Sequence, residues 1–294
     1  EPEIILDIEG RPQDIIKSER NIAHRIIEEF MLAANKAVAE VFTEKNYPFL
    51  YRVHERPDEE SINEFREFVR GFGYHLEERA TPKVFQKILE SVKGRSEEKL
   101  INHVLLRSMR QAVYSEKNIG HFGLAFADYA HFTSPIRRYP DLVVHRLLKG
   151  FIKKRLPKKE LERMEKALPE IASHSSARER KAMEAERESV DLKKVQFMQD
   201  KAGETFGGFI SGVTSFGFFV ELKDYFVEGL VHVTTLKDDY YIFKEKEHAL
   251  VGENTKKRFR LAGEVTVVID RVDIERRRID MVLAKEDSGK AKRK

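Results

Sequence analysis

At Gly203 the chain changes character, and no other feature constrains its fold as strongly. Upstream the sequence is dominated by charged helix formers. Downstream, glycine and β-branched or aromatic residues come in short runs at 205–213, 217–222, 228–232, 264–272 and 278–283. Five short strands separated by turns are what a small closed barrel needs. The expected class is therefore α+β, a helix-rich part followed by a five-stranded barrel.

The first part reads element by element. Residues 4–8 are short and β-branched, and Glu9-Gly10-Arg11-Pro12 makes a turn, so a small hairpin is expected. Ile22, Ile26, Phe30, Ala33, Ala37 and Val41 recur at three- and four-residue steps and predict a helix over 19–43 with one apolar stripe; Glu28, Glu29 and Asn35 lie on its polar face. A buried strand is expected at 49–53. Pro57 and Asp58 start a helix carrying Ile62, Phe65, Phe68 and Val69, which Gly71 and Gly73 end. Thr81-Pro82 opens another that reaches Val92 and closes at Gly94, and Ser96 caps one running towards Val113. Residues 156–202 form a charged helical connector, broken or kinked at Pro169, with a thin apolar face of Ile171, Ala182, Ala185, Val190 and Val195. Within it, 176–188 reads as a solvated, ion-paired surface in preference to an RNA groove.

The run HFTSPIRRYPDLVVHRLL, residues 131–148, gathers two adjacent arginines, two histidines, a tyrosine and an aspartate around a Ser-Pro turn. Pro135 suits the first position of a helix whose apolar residues are Ile136, Leu142, Val143, Leu147 and Leu148, while Pro140 allows only a short turn before the longer helix resumes. Arg137 and Arg138 would then sit at a helix N-terminus, where backbone amides already favour an anion and a guanidinium can grip a phosphate with two bonds. The alternative is a structural ion pair of Asp141 with Arg138 or His145, and the residues alone do not choose. His54 and His121 could bind phosphate, although a lone histidine is more commonly a structural hydrogen bonder.

Composition sets outer bounds. Among 294 residues there is no cysteine, which excludes disulfides and thiolate metal sites. A net charge of +4, from 54 basic against 50 acidic residues, leans towards a polyanion through local patches instead of a global field. No apolar stretch approaches the roughly 20 residues of a membrane span and no secretory signal is visible, so the cytoplasm is the default location. The first residues lack an initiator methionine and read as a strand and turn already under way, which suggests a fragment or processed chain.

The string HFGLAFADYAHFTSPIRRYPDLVVHRLL, residues 121–148, resembles the signature of the ribonuclease II and ribonuclease R family of RNB exoribonucleases. ERNIAHRIIEEFMLAANKAVAEVF at 19–42 and LYRVHERPDEE at 50–60 extend the resemblance, and GGFISGVTSFGFFVELKDYFVEGLVHVTTL at 207–236 looks like an S1-type RNA-binding domain. The fold so implied is the helix-rich C-terminal portion of an RNB catalytic domain with its connector helices, 1–199, then a five-stranded OB-fold barrel, 200–286, then a basic flexible tail, 287–294. The activity implied is processive 3′-to-5′ hydrolysis of single-stranded RNA to nucleoside 5′-monophosphates, with Mg²⁺ held by clustered aspartates. The 3′ end of RNA is the expected partner, with no membrane and no obligate protein partner.

The resemblance also assigns roles. Arg137 matches the family arginine that contacts the scissile phosphate, and Arg138 and Tyr139 adjoin it as RNA-backbone contacts. Glu28 or Glu29 matches a glutamate that positions the terminal nucleotide. On the barrel, Phe216, Phe219 and His232 form the stacking surface, with Asp273 and one of Arg277 or Arg278 beside it. Strict alternation would put Phe216 and Phe218 on one face and Phe219 on the other, unless a turn or bulge shifts the phase; the plainer reading puts Phe219 in the core and makes His232 an ordinary turn residue. Lys256, Lys257, Arg258 and Arg260 read as a further basic loop making salt-sensitive phosphate contacts.

No aspartate cluster is found. Asp7 and Asp14 are isolated, Asp128 and Asp141 flank the signature, and Asp238-Asp239 and Asp270-Asp273 lie in the barrel region. Two hard cations about 4 Å apart need such carboxylates. The Mg²⁺ ligands are therefore expected upstream, and the chain alone is expected to be inactive and to expose an apolar face. The alternative is a non-catalytic RNA-binding protein on a decayed nuclease scaffold.

Overall fold

A computed structural model describes residues 2–17, 21–95, 97–245 and 249–284; Ser96 and the basic tail at 285–294 lie outside them. The elements in order are β1 (Pro2–Leu6), β2 (Pro12–Lys17), α1 (Ile22–Glu44), β3 (Tyr51–Val53), α2 (Glu59–Arg70), α3 (Pro82–Val92), α4 (Glu98–Ser108) and β4 (Val113–Ser115). There follow α5 (Tyr139–Ile152), α6 (Lys158–Met198), β5 (Thr205–Thr214), β6 (Gly217–Leu222), β7 (Glu228–His232), β8 (Tyr241–Lys244), β9 (Ala249–Gly252), β10 (Arg258–Arg260), β11 (Glu264–Asp273) and β12 (Arg278–Leu283). The class is α+β, as expected. No described helix is long and apolar enough to cross a membrane. The chain falls into two compact units, residues 20–184 and residues 1–19 with 185–294.

In the unit 20–184, α1 begins with a reciprocal cap in which Asn21 Oδ1 accepts the His24 amide at 3.1 Å and His24 Nδ1 accepts the Asn21 amide at 3.4 Å. The apolar stripe expected on this helix is not its buried face. Ile22, Ile26 and Phe30 are exposed, together with Ile27 and Met31, and burial begins only at Asn35, Ala39 and Phe42. Periodicity identifies a helix, but which of its faces is covered depends on elements elsewhere in the chain.

Phe42 stacks on Phe49 at 4.4 Å, and both belong to a core with Leu50, Val53, Val143, Val144, Leu147, Leu168 and Ala172. Each of the larger side chains among them contributes about 1.5–3 kcal/mol by leaving water. A second cluster joins α2, α3 and α4 through Ile62, Phe65, Val69, Phe85, Ile88 and Ile101. Asp58 caps α2 by accepting the Ser61 amide at 2.8 Å.

Two expectations fail here. The helix expected to run to Val113 stops at Ser108, and Val113–Ser115 pairs antiparallel with β3, Val53 opposite Val113. No glycine or proline marks that stop; backbone pairing with a strand some sixty residues earlier imposes it. The second concerns the apolar face of α6, a single helix across Pro169, whose buried positions in this unit are Leu168, Ala172, Ser175 and Ser176, with Ile171 half-buried. Ala182 and Ala185 are exposed, so the thin apolar face expected along the whole connector does not form.

In the other unit, β5, β6, β7, β12 and β11 close into a barrel, with β7 and β12 parallel and the remaining pairs antiparallel. Its strands start and end within a residue of the expected runs. Ile210, Phe218, Val220, Val231, Val267, Ile269, Ile279 and Met281 fill it. The expected hairpin β1–β2 joins this unit: Ile15 is buried with the barrel core, and Lys193 Nζ donates to the Gly10 carbonyl at 2.6 Å.

The basic loop expected at 256–260 is partly a strand. Arg258–Arg260 is β10, the edge of a small sheet ordered β10-β9-β8, and Phe259 turns inward to stack on Phe218 at 4.7 Å. Its brevity and its charged flanks conceal this strand in the sequence.

Candidate nucleic-acid interface

The segment carrying the two arginines is shaped by buried polar side chains. Asn35, 3% exposed, accepts the amides of Phe132 at 2.9 Å and Thr133 at 3.2 Å through Oδ1, and donates through Nδ2 to Tyr129 Oη at 3.0 Å. The polar face assigned to it is thus an internal one. Asp141 Oδ1 accepts the Ser134 amide and the Arg138 guanidinium, each at 2.8 Å. His145 Nε2 bonds the Phe132 carbonyl at 2.8 Å and its ring stacks on Phe132. Asn35 and Asp141 therefore hold the two ends of the turn 132–138.

Helix α5 starts at Tyr139 with Pro140 in its first turn, not at Pro135, and Ile136 is fully exposed instead of joining the apolar face. Pro140 lacks an N–H and suits a helix start, so the nearer proline captures it. Arg138 occupies the N-cap position and pairs with Asp141; the structural ion pair left open by the sequence forms with this arginine and not with His145. Arg137 and Tyr139 are exposed, and Arg137 makes no ion pair among the described residues.

Glu28 is half-buried and Glu29 exposed. Glu28 precedes Asn35 by seven residues, two turns along the same helix face, whereas Glu29 is rotated about 100° away. The face that Asn35 turns towards the signature segment is thus the face of Glu28.

The histidines are structural. His54 Nδ1 accepts the Gly123 amide at 2.8 Å and Nε2 meets the Arg110 carbonyl at 2.5 Å, so both nitrogens are engaged in one neutral tautomer. A side chain on Gly123 would collide with that ring. His121 is held neutral, its pKa lowered to about 4 by burial, then by His54 and Arg52. His131 bonds Tyr114 Oη at 2.9 Å, and burial followed by Arg138 and Arg52 lowers its pKa to about 2. Arg52 lies over the Tyr114 ring and pairs with Glu179 at 2.5 Å, an ion pair that sequence spacing did not reveal.

On the barrel, Phe216 lies in the turn before β6, and Gly217 at φ +157° resets the alternation. An added side chain at Gly217 would strike the Val231 carbonyl. Phe218 consequently points inward, fully buried, while Phe216 and Phe219 meet edge to face at 6.3 Å and His232 lies 6.4 Å from Phe216 in a near-parallel stack. The pairing of Phe216 with Phe218 by strict alternation is corrected by this turn. His232 Nδ1 accepts the Thr234 amide at 3.3 Å, which orients its ring while leaving it exposed.

Register extends the face. Phe219 is opposite Leu230, Leu230 opposite Asp280, and Asp280 opposite Arg271. Ile279 and Met281 are buried, so alternation turns Arg278 outward with Asp280, and Arg278 is opposite Asp273. Arg277 stands in the turn at φ +52° and pairs with Glu188 at 3.0 Å. Asp273 accepts the Arg276 amide at 2.9 Å.

Among the described residues, no group of three or more His, Asp or Glu side chains is placed to hold a metal ion. The residues present therefore do not fit the Mg²⁺ site that the resemblance implies.

Arg137 thus stands exposed on a turn beside a helix start, and Phe216 and His232 stand exposed on the barrel. The RNB domain family model matches residues 1–154, and the S1 RNA binding domain matches residues 199–283. The chain belongs to the ribonuclease R family, with an RNB domain followed by an S1 domain. It is 50% identical to ribonuclease R of Aquifex aeolicus over 96% of this chain and 40% of that protein, and 44% identical to ribonuclease R of Thermotoga maritima over 98% and 41%. The structure of Mycoplasma genitalium RNase R in complex with ribose methylated single-stranded RNA superposes with a TM-score of 0.91 at 30% identity, covering 97% of this chain and 45% of that one. The chain thus spans about 40% of the length of the curated relatives it matches.

Proposed function

We propose that this chain belongs to a processive 3′-to-5′ exoribonuclease that hydrolyses single-stranded RNA to nucleoside 5′-monophosphates, and that it supplies one wall of the catalytic centre together with an RNA-binding barrel. The observation that carries the reading is Arg137: a guanidinium with no ion pair among the described residues, presented on a turn whose two ends are held by Asn35 and Asp141. Held beside the start of α5, it would stabilise charge developing on the phosphoryl oxygens of the scissile phosphate. Tyr139, and Arg138 with the donors that Asp141 leaves, would contact the adjoining RNA backbone.

Of the two glutamates, Glu28 is the better candidate to position the terminal nucleotide, because it shares the helix face of Asn35. Phe216, Phe219 and His232 would stack bases without demanding sequence. Register favours Arg278 over Arg277 as the cation beside Asp273. In domain terms, residues 1–199 belong to the catalytic domain with its connector, 200–286 to the S1 domain, and 287–294 to a basic tail.

Mg²⁺ is the metal this family reading calls for, and its carboxylate ligands would come from outside the described residues. The chain alone would bind RNA without cleaving it. The test is to give the complete protein and this chain a single-stranded RNA with Mg²⁺ and to follow mononucleotide release. Release by the complete protein alone supports the proposal. Release by this chain would overturn the requirement for other segments, and none by either would leave an RNA-binding protein on a nuclease scaffold.

A further inference from the structure

The small sheet β8–β10 presents a second surface, separate from the aromatic face on β6 and β7. Its inner side is committed to the core: Tyr241, Leu250 and Phe259 are buried. Its outer side follows from register. Ile242, Val251 and Arg258 form one cross-strand row, and Lys244, Ala249 and Arg260 form the next, in which Ala249 is itself buried. Tyr240, just before β8, continues the ladder by accepting the Glu253 amide at 2.8 Å through its carbonyl, and alternation turns its ring to the same outer side. That ring is 70% exposed and Ile242 is 39% exposed.

One face of three short strands thus carries an open phenol ring, an aliphatic shelf and the cations Lys244, Arg258 and Arg260. Lys244 and Arg260 make no ion pair among the described residues, whereas the nearby Lys257 is engaged with Asp238 at 3.6 Å. Two cations on alternate residues of β10 lie about 7 Å apart along the strand. Leaving a tyrosine and like charges together in water adds nothing to stability. Aromatic rings interleaved with cations match single-stranded nucleic acid, whose bases stack while its phosphates are neutralised.

We propose that this face of β8–β10 is a second RNA-binding surface, at which Tyr240 stacks a base and Lys244 and Arg260 contact phosphates. The proposal rests on the reading that the chain binds RNA, and the experiment separates the two.

Binding of a fluorescent single-stranded oligoribonucleotide to this chain is measured by anisotropy at several salt concentrations. Three variants are compared with the parent: Tyr240→Ala, the double variant Lys244→Gln with Arg260→Gln, and Phe216→Ala. Tyr240→Ala should weaken binding roughly fivefold or more at fixed salt. The double variant should make the salt dependence shallower by about 1.4 in log–log slope, roughly 0.7 per lost phosphate contact on a single strand. These side chains are exposed, so thermal unfolding should not change. If Phe216→Ala weakens binding while the sheet variants retain the parent affinity and slope, the second surface is refuted and the RNA reading stands. If the parent chain itself fails to bind RNA, both fall.

Discussion

Arg138 and Asp141 form an ion pair across the first turn of α5: Nη2 of the arginine lies 2.8 Å from Oδ1 of an aspartate that is wholly buried. The same oxygen also accepts the Ser134 amide, so one carboxylate ties the helix start to the turn before it. The pair is not saturated, since Asp141 Oδ2 and Arg138 Nε are buried without hydrogen-bond partners among the described residues. Buried pairs of this kind add little net stability, yet losing one partner is costly because the other charge is left in a poor environment. The pair is best understood as shaping the segment that presents Arg137.

Asp141→Asn tests that view. The amide keeps the volume and can still accept from Ser134, but it leaves the Arg138 guanidinium unpaired. A loss of about 3 kcal/mol in urea unfolding is expected. A change below about 0.5 kcal/mol would show that the charge pair does not hold the turn.

Arg137→Ala should behave in the opposite way. The side chain is exposed and has no ion-pair partner among the described residues, so unfolding should shift by less than about 0.5 kcal/mol. In the complete protein, nucleotide release should fall by roughly 10²–10³-fold in turnover, the magnitude typical of losing one charge-stabilising donor. Full activity in a folded variant would remove Arg137 from the site.

Acid should destabilise the unit that holds His121 and His131. Burial and neighbouring cations lower their folded pKa values to about 4 and about 2, while in the unfolded chain both titrate near 6.5. The unfolded state therefore takes up protons that the folded state refuses. Stability is intact above about pH 6.5 and is lost as the pH falls, towards pH 4 for His121 and towards pH 2 for His131. At pH 5 the loss is about 2 kcal/mol for His131 and smaller for His121, whose charge solvent screens more strongly. Unfolding of His131→Gln measured at pH 7 and pH 5 should show a smaller acid loss than the parent, and an equal loss would exclude His131 as a source.

RNA binding and metal dependence should separate. Phe216→Ala and His232→Ala should each weaken RNA binding by this chain by about 1–3 kcal/mol, as loss of a stacking ring does. EDTA should leave that affinity unchanged while abolishing nucleotide release by the complete protein, because no metal ligand set occurs among the described residues. Chelation that abolished binding by this chain would contradict the assignment of binding to the barrel.

Helix α1 should exchange its amides unevenly. Residues 22–31 include no buried side chain, whereas Asn35, Ala39 and Phe42 are locked into the core. Hydrogen exchange over the first turns should be orders of magnitude faster than over the last ones. Uniform protection along the helix would mean that its exposed apolar residues are covered in solution.

Much of this protein was legible without coordinates, wherever the deciding interaction is local. The barrel strands were found because alternation and turn residues lie within each run, and Asp58 marked the start of α2 because its cap bond spans three residues. The resemblance in 121–148 pointed to the family because the string itself is unusual. From the sequence Asn35 reads as part of a polar face, since nothing near it shows that Phe132 and Thr133, almost a hundred residues away, supply its partners.

Sequence by itself determined the class, the five barrel strands and the family, because composition, period and motif are properties of short stretches. Tertiary structure alone decided which face of α1 is buried, that Arg138 pairs with Asp141 while Arg137 stays exposed, and that Gly217 brings Phe216 and Phe219 together. Those outcomes depend on which distant backbone and side-chain groups meet, and burial then makes each pairing or its absence energetically decisive.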